Sequence, residues 1–151
     1  MDKAQRECMK QVLDSATDLT LATIRPDGYP QATTVSFACR DMLLYVGIGR
    51  ASQKADNIRH NPKVSLTINL PYRDWREIRG LSMSAHADII DDPAEAETAR
   101  ACLERRFPDV SEWVGPDMAA EVVFLRIRPL VVSVIDYSKG FGHTELIAAD
   151  D

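Results

Sequence analysis

Hydrophobic positions along this chain change their period several times, and each change predicts an element. Ala4, Cys8, Val12 and Ala16 recur every fourth residue, with Met9 and Leu13 beside them. That spacing predicts a short amphipathic helix over 3–16. "DLTLATIR" (18–25) then alternates with β-branched residues and predicts a strand. "PDGYP" (26–30) predicts a turn, with Pro26 fixing φ and Gly28 free to take a positive φ. "QATTVSFAC" (31–39) completes an antiparallel hairpin, and "MLLYVGI" (42–48) follows as a third strand.

A helix over 52–60 stops at "HNP", because Pro62 disfavours helix at Asn61. "KVSLTINL" (63–70) and "LSMSAHADII" (81–90) alternate as half-buried strands, with a polar excursion over 71–80 between them. Asp92 and Pro93 open a helix over 93–107 with Ala96, Ala99, Leu103 and Phe107 on one stripe. "PDVSEWVGPDM" reads as an irregular crossing. Residues 121–137 are too β-branched for a helix and read as a long strand bent at Pro129, before a loop-like tail. Six antiparallel strands with a few short helices predict a small, mainly β barrel, in a single domain spanning 1–151.

Composition narrows the function. A net charge of −5 argues against general binding of nucleic acid or an anionic membrane, both of which call for a basic face. No segment approaches the roughly 18 consecutive apolar residues of a spanning helix, and the N-terminus lacks a signal-peptide core. Cys8, Cys39 and Cys102 are widely spaced and form no metal-ligand pattern. They read as reduced thiols of a cytoplasmic protein. No Ser-His-Asp order, paired-carboxylate site or metal spacing stands out, so no catalytic residue is assigned from motif.

One junction carries candidate chemistry. Gly47-x-Gly49-x-x-Ser52-x-Lys54 leaves a strand and opens a helix. It lacks the third glycine of a dinucleotide fingerprint and the G-K-[ST] of a P-loop, and no βαβ alternation surrounds it. Ser52 is a good N-cap, and the amides after it point out of the helix start. Lys54 is badly placed for the macrodipole unless an anion balances it. The junction therefore suits a terminal phosphate. Equally, it suits a capped helix whose Arg50 and Lys54 lie in solvent. Among the histidines, His60 suits a helix C-terminus, His86 a polar strand face, and His143 follows two glycines in the tail.

These residues resemble a known family. "LATIRPDGYPQATTVSF…LLYVGIGRASQKADNIRHNPKVSLTI" is similar to the FMN-binding split-barrel family, the pyridoxamine 5′-phosphate oxidase-like superfamily, within its general-stress-protein branch. The likeness covers residues 17–90 and, more loosely, the last strand and "DYSKGFG". It implies a six-stranded split barrel, a homodimer and flavin sites at the dimer interface. By position, Ser52, Gln53 and Lys54 would bind the phosphate, with Arg50 nearby. Thr33, Thr34, Val35 and Ser36 would lie along the ribityl chain and ring edge, with Ile48 contributing. Trp75 would cover the flavin or pack across the dimer, or else simply clamp a surface loop; Tyr137 and Phe141 would touch the ring from the partner subunit, or else seal the barrel end. The family's oxidases carry Arg where Thr33 and Gln53 stand, and a longer, arginine-bearing C-terminal region. The resemblance thus implies an FMN-dependent oxidoreductase fed by reduced nicotinamide or a small substrate, rather than a pyridoxamine phosphate oxidase. A deazaflavin-dependent reductase, a flavin-binding stress protein without turnover, and a haem binder using His143 are the alternatives.

Overall fold

The computed structural model describes residues 1–149. α1 (Lys3–Ser15) opens with a capping box: Asp2 accepts from the Gln5 amide and the Gln5 side chain accepts from the Asp2 amide. It buries Met9, Val12 and Leu13. β1 (Asp18–Ile24) and β2 (Pro30–Ser36) form the expected hairpin, and Gly28 turns it at φ +89°.

The strand expected over 31–39 breaks into two. Phe37 is fully buried, and after it the chain continues as β3 (Ala38–Arg40). β2 pairs with β1, whereas β3 pairs with β4 (Leu43–Gly49). The sheet runs β2-β1-β5-β6-β7-β4-β3, so β2 and β3 are its two ends. One buried residue carries the chain between those ends. The sheet must therefore curl until its edges meet, leaving a seam that no ladder closes beside β2. This is a mainly antiparallel half-barrel.

α2 (Gln53–His60), β5 (Lys63–Asn69), β6 (Arg79–Ile89) and α3 (Pro93–Arg106) lie where the periodicity places them. The crossing after α3 contains a one-turn helix, α4 (Val110–Trp113), and a 3-10 turn over Pro116–Glu121. β7 (Val122–Asp136) bends as expected: Ser84 faces Val131 and Ala85 faces Pro129, leaving Leu130 outside the register. Its first half pairs with β4 and its second half with β8 (Thr144–Ala148).

β8 corrects the loop-like tail, and with β3 it raises the expected six strands to eight among the described residues. Gly140 and Gly142 at positive φ turn the chain back, so that Ile147 is buried against β7. No helix among the described residues is long and apolar enough to cross a membrane.

Candidate functional site

β4 delivers the chain to the barrel seam at Gly49, where it turns through Arg50 and Ala51 into α2. Ser52 caps the helix. Its Oγ accepts from the Ala55 amide at 3.3 Å and donates to the Gly49 carbonyl at 2.7 Å. Asp56 in the first turn and Arg59 and His60 in the last suit the dipole. Lys54 does not. It is half-buried and makes no hydrogen bond or ion pair among the described residues.

The other half-buried lysines and arginines among those residues are all engaged. Arg79 pairs with Asp136 at 3.6 Å, and Arg126 binds Glu95 at 2.7 Å and Asp88 at 3.3 Å. The Glu95 contact, with help from Asp88, holds the Arg126 guanidinium above its ordinary pKa. Arg106 donates to the Leu13 carbonyl at 3.0 Å and to that of Ala16, and lies 4.8 Å from the Phe37 ring centre. Arg50 is exposed but also committed: its Nε donates to Ala120 and its amide to Glu121.

A buried amide fixes α2 against the sheet. Asn57 is fully buried, accepts from the Gln53 side chain at 2.8 Å, and donates to Thr23 Oγ1 at 2.9 Å and Gln31 Oε1 at 3.2 Å. It thus ties the helix to β1 and β2 together. Sequence reasoning missed it; the available signal was an asparagine between Ala55 and Ile58 on the helix's buried side. The same bond turns the Gln53 amide inward.

β2 presents its candidates on two faces. Thr33 and Val35 lie opposite buried Leu21 and Leu19, and are themselves half-buried. Thr34 and Ser36 face outward, where Thr34 Oγ1 lies 3.3 Å from Thr20 Oγ1. A ligand along the free edge of this strand meets side chains from one face and the backbone groups of alternate residues, since the others bond to β1.

Val35, Ser36 and Ile48 also border a cleft of about 800 Å³. Its floor is Gly47, Gly49, Val122 and Phe124. Its opposite wall is the end of α3 and the crossing beyond it, with Leu103, Phe107, Val110 and Trp113. Lys54 does not line this cleft.

The remaining candidates gather elsewhere. Trp75 stacks on Phe141 with ring centres 6.0 Å apart, and Tyr137 tilts against Phe141 at 5.7 Å. Trp75 and Phe141 are 65% and 83% exposed, an unusual presentation for paired aromatics. The chain enters β5 from α2 and leaves it toward Trp75, so the two groups lie beyond opposite ends of a seven-residue strand. Its rise separates those ends by about 20 Å. His143 is bonded to Glu145 at 3.1 Å.

Residues 5–136 match the sequence profile of the family described as pyridoxamine 5′-phosphate oxidase. No curated protein matches the chain. Among solved structures, a haem-binding protein from Mycobacterium smegmatis superposes with a TM-score of 0.80 at 17% identity, over 98% of this chain. This chain spans only 59% of that protein. A conserved hypothetical protein from Mycobacterium tuberculosis gives 0.78 at 25% identity, covering 100% of this chain and 94% of the other. An F420 reductase gives 0.64 at 28% identity, covering 82% of this chain and 94% of the other.

Proposed function

Since the chain belongs to the pyridoxamine 5′-phosphate oxidase family, we propose that it is an FMN-dependent oxidoreductase whose cofactor phosphate sits at the start of α2. The observation that carries this is Lys54: the one half-buried lysine or arginine among the described residues without an internal partner, beside a capped helix start. A cation held there loses solvation and gains nothing unless an anion arrives. Free amides, the dipole and one ammonium form a donor set suited to a phosphate monoester. Gln53 and Lys54 supply backbone amides in this arrangement, since the Ser52 amide already donates to the Gly49 carbonyl, and Arg50 steadies the turn. β2 and Ile48 carry the ribityl chain and one ring edge.

The flavin supplies the two-electron chemistry, while the protein binds, orients and shields it. Two protomers close the site. Trp75, Tyr137 and Phe141 of one cover the ring held by the other, which accounts for the exposure of Trp75 and Phe141 and for the cluster's distance from Lys54 along a single chain. Reduced nicotinamide or a small substrate is the electron source.

A second reading has its own support. The deazaflavin coenzyme F420 would suit this corner because the Gln53 side chain is turned inward, leaving a single free cation for a phosphate diester. The similarity to an F420 reductase favours the same choice. An absorption spectrum and mass spectrum of the ligand released from the purified, denatured protein decide between them. FMN is expected. Release of F420 selects the second reading, and haem or no cofactor under saturating flavin defeats both.

A further inference from the structure

We propose that the outer face of β5, β6 and β7 carries a site for a short phosphate chain, apart from the cofactor corner and independent of its assignment. Lys63 stands directly opposite His86, and His86 directly opposite Arg128. Directly opposed residues share a face of the sheet. Their neighbours Val64, Ala87 and Ile127 are buried on the other face. Three basic side chains therefore form a row across adjacent strands, with Lys63 and Arg128 exposed and His86 half-buried.

Nothing inside the molecule answers this row. None of the three side chains makes a hydrogen bond or ion pair among the described residues. Two positions further along the same face, Asp88 stands opposite Arg126 and is joined to it at 3.3 Å, so that carboxylate is already taken. Like charges directly opposite one another destabilise a sheet, and opposite charges support it. β6 and β7 thus carry a matched pair at one position and a mismatched one beside it. The chain has 18 basic residues against 23 acidic ones, so a row of cations without a carboxylate runs against its composition.

The backbone holds the row in place. The Lys63 amide donates to Asn61 Oδ1 at 3.0 Å, and the Ala87 amide to the Pro62 carbonyl at 2.9 Å, which carries the ladder past the end of β5. Pro129 follows Arg128 where the register of β7 shifts, and a bulge of this kind re-aims side chains. Strands lie about 4.8 Å apart, so the row spans about 10 Å. Linked phosphates fit within that length, and Arg128 offers them a planar fork. Carboxylates on one face of an extended acidic peptide recur about every 7 Å and miss the pitch. α2, about 12 Å long, lies between Lys54 and Lys63, so one short chain does not reach both.

Calorimetric titration of the FMN-saturated protein with magnesium-free tripolyphosphate at low ionic strength tests this. One tripolyphosphate should bind per protein, and inorganic phosphate at least about tenfold more weakly, since it spans less of the row. Arg128→Gln should weaken tripolyphosphate by about tenfold, and Lys63→Gln and His86→Gln by about threefold each. All three variants should keep or raise the wild-type Tm, because each removes a like-charge neighbour; a merely structural role would lower it. Lys54→Ala should bind tripolyphosphate as the wild type does, and Arg128→Gln should keep FMN, so the two sites fail separately. Arg73→Gln, beyond the far end of β5, is the control and should change nothing. ATP binding no more tightly than tripolyphosphate assigns the row to a bare chain, and tighter ATP binding assigns it to a nucleotide. Absence of saturable binding, an equal loss from Arg73→Gln and Arg128→Gln, or tighter binding of hexaglutamate than of tripolyphosphate would overturn the proposal.

Discussion

Lys54 and Arg106 are both half-buried cations beside a helix terminus, yet the molecule uses them in opposite ways. Arg106 stands at the end of α3 and reaches across to α1, where its guanidinium takes up carbonyls that the helix end leaves free. The Phe37 ring lies against it. Through one nitrogen, Nη2, it holds two helices over the buried corner where the sheet changes edges. Lys54 stands at a helix start, the wrong end for its charge, and touches no internal acceptor. The difference teaches that charge alone marks neither function nor structure. What separates them is whether the chain itself satisfies the charge.

Substitutions at four positions would break or sharpen that contrast. Removing Arg106 should have the largest effect on folding. Arg106→Ala is expected to lose about 2–3 kcal/mol in a denaturant titration, from charge-assisted hydrogen bonds and ring contact together. Arg106→Lys should recover only part, since an ammonium does not lie against the Phe37 ring as a planar guanidinium does.

Lys54→Ala should do the reverse. Its denaturation midpoint without ligand should match that of the wild type, while FMN binding weakens by about 1–3 kcal/mol in calorimetry. A fall in unliganded stability comparable to that of Arg106→Ala would place Lys54 in the same structural class and erase the distinction.

Asn57→Leu lies between the two. It strands the Thr23 hydroxyl and frees Gln53 and Gln31, so about 1–2 kcal/mol of stability should be lost. FMN affinity should fall as well, because the helix start is no longer fixed against β2; a purely structural asparagine would leave affinity in the folded fraction unchanged.

The smallest effect concerns Asp136, beneath the aromatic cluster. Burial pushes its carboxyl up, but the Ser138 hydroxyl at 2.5 Å, the Ser138 amide at 3.0 Å and Arg79 outweigh that and leave it below its ordinary value. Its contribution is therefore present above the unfolded carboxylate range, near pH 4, and fades as pH falls through the lowered folded value. Asp136→Asn should cost about 1 kcal/mol at pH 7 and nothing in strong acid, read as converging stability curves.

Much of the frame was legible along the chain because alternation is a local signal. β1, β5 and β6 each carry buried residues at every second position, and Ser52 and Pro93 mark helix starts by chemistry that acts within a few residues. The break at Phe37 was not legible, since "QATTVSFAC" stays strand-like throughout and only the change of pairing partner divides it. β8 was hidden for a related reason. Leu146 remains 74% exposed, so one buried residue, Ile147, was all its pattern could show. Within the candidate site, the Ser52–Lys54 spacing was visible. The commitment of Arg50 to the crossing, the anchoring role of Asn57 and the cleft wall from Phe107 to Trp113 all depend on contacts distant in sequence.

The central claim, that Lys54 grips the phosphate of a flavin, is tested most directly by comparing FMN with riboflavin, which differs only in lacking that phosphate. Calorimetric titration of the wild type should show FMN binding more tightly than riboflavin, and Lys54→Ala should erase most of that preference while leaving riboflavin affinity unchanged. A Lys54→Ala protein that still prefers FMN by the wild-type ratio would contradict the account.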